Sequence, residues 1–177
     1  MILNEGLEKF LESVQSKPIA YGMNRKANNG QIFNAGNRTG TIFFYDGLYY
    51  AVVLQKVPVL NPLSIELKSQ RIFEVQFGTS STYSSNIDEY SDDRNTSTKN
   101  AIKAFSHIFF TISEIINAIG NVEYVIFDGV DEKRHSLYSV MVNNKLLRRA
   151  IEENISFLFV GEKLDYFIFK NGSLWTI

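Results

Sequence analysis

The chain has 177 residues, no cysteine, and a formal net charge of −1 from 18 basic and 19 acidic side chains. That length suits one domain, so residues 1–177 read as a single unit with its own core. The charge balance excludes a global field that would draw the protein onto nucleic acid or a membrane surface, and the missing cysteines exclude disulfides, thiolate zinc sites and cysteine nucleophiles.

The N-terminal M-I-L-N-E-G-L-E lacks the basic region and apolar core of a signal peptide. Leu3, Leu7, Phe10, Leu11 and Val14 recur at helical spacing, which predicts a helix over residues 3–16 ended by Pro18. Ile19–Gly22 suits a short strand, and residues 24–30 a turn or loop. A strand is expected over Gln31–Asn34. In T-I-F-F-Y-D-G-L-Y-Y-A-V-V-L, two β-rich runs flank Asp46-Gly47, a pair that suits a tight hairpin because its backbone needs positive φ. Pro58 and Pro62 take residues 56–63 out of the sheet or to its edge.

Residues 71–77 alternate, with Phe73, Val75 and Phe77 on one face and Ile72, Glu74 and Gln76 on the other. A long polar loop, 78–96, is expected next. Its Asp88, Glu89, Asp92 and Asp93 match no calcium-loop spacing, so no metal site is expected. From about Ser97 to Ile119 a wide apolar stripe (Ile102, Phe105, Ile108, Ile112, Ile116 among it) predicts the central helix, with Gly120 as its C-cap and His107 on its polar side. The helix is too short and too polar, through Thr111, Ser113, Glu114 and Asn117, to span a bilayer. Together these features predict a soluble, cytoplasmic protein. N-V-E-Y-V-I-F-D-G reads as a strand buried on both faces. Asp131 can cap a further helix through Leu137 and Met141, and the chain closes on a second hairpin. Lys145, Arg148 and Arg149 are followed by Glu152 and Glu153, so they read as a solvated face. The order implies an α+β (α/β) domain: one mixed, largely antiparallel sheet flanked by helices.

Within residues 71–169, N-A-I-K-A-F-S-H-I-F-F-T-I-S-E-I-I, E-Y-V-I-F-D-G and D-E-K-R-H-S-L-Y-S-V-M-V resemble the helix and strand motifs of a group of small phage-encoded proteins. The order of strand, polar loop, helix, strand, helix and final strand pair also resembles the second half of the GNAT acetyltransferase superfamily. That resemblance implies a GNAT-like topology and acyl-CoA held by the amides that open the central helix, where a helix end favours phosphate. The implied cradle is Asn95, Thr96, Ser97, Thr98, Lys99 and Asn100, with Lys99 adding charge. The Leu137-Tyr138 pair implies Tyr138 as general acid, and Glu74, on the strand before the loop, as general base.

The residues themselves leave plainer alternatives open. Thr96 or Ser97 serves equally as a simple N-cap. Tyr138 suits a half-buried packing position, and Glu74 an exposed strand position or an ion pair. The aromatic hairpin of Phe43, Phe44, Tyr45, Tyr49 and Tyr50 is first a sheet core. Two functions therefore stand: an acyl-CoA-dependent N-acyltransferase-like enzyme with acetyl-CoA as cofactor, or a non-catalytic phage accessory protein. The second would bind a host or virion protein through the loop and the aromatic hairpin.

Overall fold

The computed structural model describes residues 32–90, 98–129, 132–143, 148, 151, 155–163 and 166–172. The elements expected over 3–16, 19–22 and 24–30 lie outside these, as do Asn95, Thr96 and Ser97.

Asp46 and Gly47 turn the chain with φ of 49° and 79°, the positive values a two-residue hairpin needs. They join β2 (Arg38–Tyr45) to β3 (Leu48–Lys56), which pair from Tyr45↔Leu48 to Arg38↔Gln55. β1 (Phe33–Ala35) is a short edge strand on β2. It begins later than the expected Gln31–Asn34, because its register is set by Phe33↔Gly40. The Phe33 ring lies over Gly40, and a Cβ there would meet it at 3.0 Å and the Val52 carbonyl oxygen at 2.4 Å. Past Lys56 the chain leaves the sheet at Pro58. It then forms α1 (Pro62–Glu66), where Asn61 accepts from the Leu63 amide as N-cap and Pro62 occupies the first turn.

β4 (Ile72–Ser80) keeps the expected alternation but runs on past Phe77, so the polar loop begins later than its composition indicated. That loop contains a 3-10 turn at Ile87–Glu89. The central helix, α2 (Thr98–Ile119), ends as expected. Gly120 has φ of 85° and donates to the Ile116 carbonyl at 2.9 Å. β5 (Tyr124–Asp128), α3 (Glu132–Asn143), β6 (Phe157–Lys163) and β7 (Tyr166–Asn171) complete the fold.

Among the described residues seven strands lie in the order β1-β2-β3-β4-β5-β7-β6, and every neighbouring pair is antiparallel except β4–β5. Parallel neighbours need a long crossover, and α2 supplies it. The fold is therefore α+β with one mixed sheet. Residues of β5 alternate between two cores, as a strand buried on both faces must. Val125 and Phe127 join Phe43, Val52, Leu54, Phe73, Val75, Phe167 and Phe169 under α2 and α3. Tyr124 and Ile126 join Val57, Leu63, Ile72 and Ile168 on the opposite face, where α1 packs. The first is the helix face and the second the open-side face.

The starting ends of β4 and β5 are tied by side chains. Arg71 donates to Glu123 at 3.1 Å and to Asn121 at 2.6 Å, and the Ser69 hydroxyl donates to the same Glu123 oxygen at 2.6 Å. Ser69, first, and then Arg71 hold the Glu123 carboxyl below its ordinary range against a modest burial that raises it.

Candidate functional site

Alternation along β4 puts Glu74 and Gln76 on the open-side face with Ile72, whereas Phe73 and Val75 join the helix face. Alternation along β5 puts Asp128 on that same side, next to Ile126. The register aligns Gln55, Glu74, Ile126 and Ile168 as one cross-strand row over β3, β4, β5 and β7. Asp128 sits one step along, opposite Tyr166. The Gln76 side-chain amide donates to the Gln55 side-chain oxygen at 2.7 Å, closing a polar patch of Gln55, Glu74, Gln76 and Asp128. Around it are Ile72, Ile126, Ile168 and Val53, all buried. Polar groups in the middle of an apolar sheet face are expensive, so their presence points to a task. Burial, and after it the Asp128 carboxylate, pushes the Glu74 carboxyl above its ordinary range.

The patch lies where the β4–β5 pairing finishes. The parallel register ends at Val75↔Phe127, β5 stops at Asp128, and β4 continues to Ser80. α2 ends at Ile119, just before β5 starts beside Ile72, so the helix runs antiparallel to both strands. Its 22 residues span roughly 33 Å at 1.5 Å each, whereas the β4–β5 register from Ile72 to Val75 spans only about 10 Å, so its first turn lies far beyond the finishing end of the seam. Thr98, Lys99 and Asn100 are the first described residues of that turn and carry helix-opening amides. That turn belongs to the helix face, so neither its level nor its face brings it beside Glu74. Residues 92–97 contain no glycine, so backbone approach to a phosphate-bearing group would be set by side-chain-bearing residues.

Tyr138 lies elsewhere. Its ring packs edge-on against Phe127 at 5.5 Å and Phe167 at 5.6 Å on the helix face, and it is 3% exposed rather than half-buried. The sheet stands between Tyr138 and Glu74, so the expected acid and base are not brought together. The spacing on each element was right, but only strand register decides which face a residue joins.

His107 is a second correction. It is buried, not on the polar side of α2, and its ring lies 4.4 Å from Tyr45 and 6.3 Å from Phe43. Its Nδ1 has no hydrogen-bond partner among the described residues, and burial lowers its pKa to about 4. Thr111 and Ser113 are buried beside the stripe and donate to the His107 and Phe110 carbonyls. The buried arc of α2 is thus wider than its apolar stripe. Tyr45 and Tyr49 of the hairpin are half-buried.

No group of three or more histidine, aspartate or glutamate residues able to hold a metal occurs among the described residues. No described helix is long and apolar enough to cross a membrane. Comparisons of the chain with protein-family models, with curated proteins and with solved structures find no match.

Proposed function

We propose that this protein is an acyl-CoA-dependent N-acyltransferase-like enzyme of GNAT-like topology, from a phage or mobile element and acting in the cytoplasm of a bacterial host. The observation that carries the reading is the placement of Glu74. A carboxyl with a raised pKa stands beside Asp128 where the parallel β4–β5 pairing finishes. The order β4, polar loop, α2, β5, α3 and the β7–β6 pair supports it further, since that is the element order of the family described above.

In this reading residues Asn95 to Asn100 hold the cofactor phosphates, with Lys99 as a point charge. Acetyl-CoA supplies an activated acyl thioester. Glu74, directly or through one water, takes the proton that an acceptor ammonium must lose before its nitrogen becomes nucleophilic. A raised carboxyl pKa makes Glu74 a better proton acceptor near neutral pH than an ordinary glutamate. Tyr138 contributes packing and takes no part in proton transfer.

A thermal melt tests the cofactor directly. Acetyl-CoA at a hundred times its dissociation constant adds about 2.7 kcal/mol of stability, and an unchanged melting temperature at millimolar acetyl-CoA rejects the enzyme. The second reading, a non-catalytic protein that binds a host or virion protein, is favoured by one feature. Leu60, Ile65 and Tyr83 are exposed, at 86%, 64% and 48%, as apolar contact surface.

A further inference from the structure

His107 is an ionisable ring in a place that cannot hold its charge. It is 6% exposed on α2, its ring lies against Tyr45 and Phe43, and its Nδ1 has no partner among the described residues. A neutral imidazole carries one N–H and an imidazolium carries two, so the charged ring must place an N–H at Nδ1. In the closed packing that donor meets no acceptor, and burying it unpaired is costly.

The titratable groups around the ring offer no countercharge. Burial, and after it Asp46, pushes the Tyr45 hydroxyl on β2 up, so it stays neutral. Tyr50 on β3 stacks on Phe43 at 5.1 Å. Asp46 is exposed in the turn, and burial is the cause of the lowered His107 pKa. On α2 itself Lys103 stands four positions before His107 and Glu114 seven after.

The piece of sheet lying on His107 is weakly supported. β1 pairs with β2 only at Arg38–Gly40, so among the described residues Thr41–Tyr45 are held on one side, by β3. Tyr45 forms the last pair before the turn, with Leu48, and the β3–β4 pairing begins one residue later, at Tyr49↔Ser80. Tyr45 is half-buried, and Asp46 and Gly47 are exposed. A strand end with one neighbour opens locally more readily than a strand inside the sheet.

We infer that the hairpin end, Tyr45–Gly47, is an acid-released flap that closes on neutral His107 and opens when the ring takes a proton. Opening lets water reach Nδ1 and uncovers the inner side of the Tyr45 ring. The closed form excludes the second proton and the open form admits it, so opening grows as pH falls below the ordinary histidine value. With a closed value of about 4 against 6.5, the open population rises roughly thirty-fold between pH 7.5 and pH 5. The device acts whether or not acetyl-CoA binds.

The test is hydrogen–deuterium exchange of the full chain at pH 7.5 and pH 5, corrected for the intrinsic pH dependence of amide exchange and read by mass spectrometry. Peptides spanning residues 43–50 should exchange about thirty-fold faster at the lower pH, while β5 stays protected over the same period. His107→Phe keeps a ring in the apolar niche without an ionisable nitrogen and should abolish the response. His107→Gln, polar but never charged, should abolish it as well and serves if the first variant does not fold. Equal rates at the two pH values in the wild type overturn the flap, as does an acceleration that persists in a folded variant. Exchange of β5 in step with residues 43–50 overturns it too, because that outcome reports global loosening.

Discussion

The two ends of the β4–β5 seam treat their carboxylates in opposite ways. At the starting end Glu123 receives the Ser69 hydroxyl and the Arg71 guanidinium, and its pKa falls. At the finishing end Glu74 is more buried, faces Asp128, and its pKa rises. One carboxylate ties strands across some fifty residues of sequence, and the other is held in a costly ionisation state beside the end of a strand pairing. Divergent environments of this kind separate residues that hold a fold from residues poised for proton transfer.

The sharpest way to break that contrast is Glu74→Gln. Loss of a general base lowers acyl transfer about 10²- to 10⁴-fold, with acetyl-CoA binding retained. The same change should raise the melting temperature at neutral pH. The folded pKa of Glu74 lies above its unfolded value, so the native state binds more protons in that window and stability falls as pH rises through it. Glutamine carries no such penalty. A variant that is less stable and equally active would place Glu74 with Glu123 as a holding residue.

His107 sharpens the comparison at the same end of the sheet, on the helix face. Its folded pKa of about 4 lies below the ordinary 6.5. Between those values the unfolded chain binds the proton and the native state does not. Stability is therefore fully present above pH 6.5 and is lost as pH falls toward 4, by about 3 kcal/mol. Urea titrations across that range should show the loss, and His107→Phe should flatten it.

Gly78→Ala asks whether residues 81–90 are seated on β4 as tightly as the contact with Tyr90 indicates. The added methyl meets backbone, which yields less readily than a side chain, so a loss of about 1–3 kcal/mol is expected in denaturant melts. The smallest effect belongs to Arg71→Ala at the clamped end. The guanidinium is half-exposed, and a loss of about 1 kcal/mol is expected in denaturant melts.

Much of the fold was legible from local pattern. Asp46-Gly47, the alternation of β4, the unbroken apolar run of β5 and the stop at Gly120 all follow from backbone preference and periodicity within a few residues. Glu74 was singled out only by the family resemblance, and its partners were not singled out at all. Asp128 reaches it only through a parallel register more than fifty residues away in the chain. Gln55 reaches it only through the antiparallel register of β3. The misreading of His107 has the same origin. A helical wheel shows which residues share a face, but the width of the buried arc depends on how the helix lies across β2 and β3. The path of residues 81–90 over the sheet had no signal beyond a polar composition, since Gly78 marks a close approach only once Tyr90 is known to be there.

By itself the sequence determined the Asp46-Gly47 turn, the alternation of β4, the apolar run of β5 and the helix stop at Gly120, though not the ends of β1 and β4, because those features depend on neighbours three or four positions apart. Tertiary structure alone decided which side of the sheet each residue joins. It set Tyr138 in the core and Glu74 beside Asp128 across the sheet from it, because strand register is fixed by contacts between residues far apart in the chain, and a burial or a pKa depends on all of them at once.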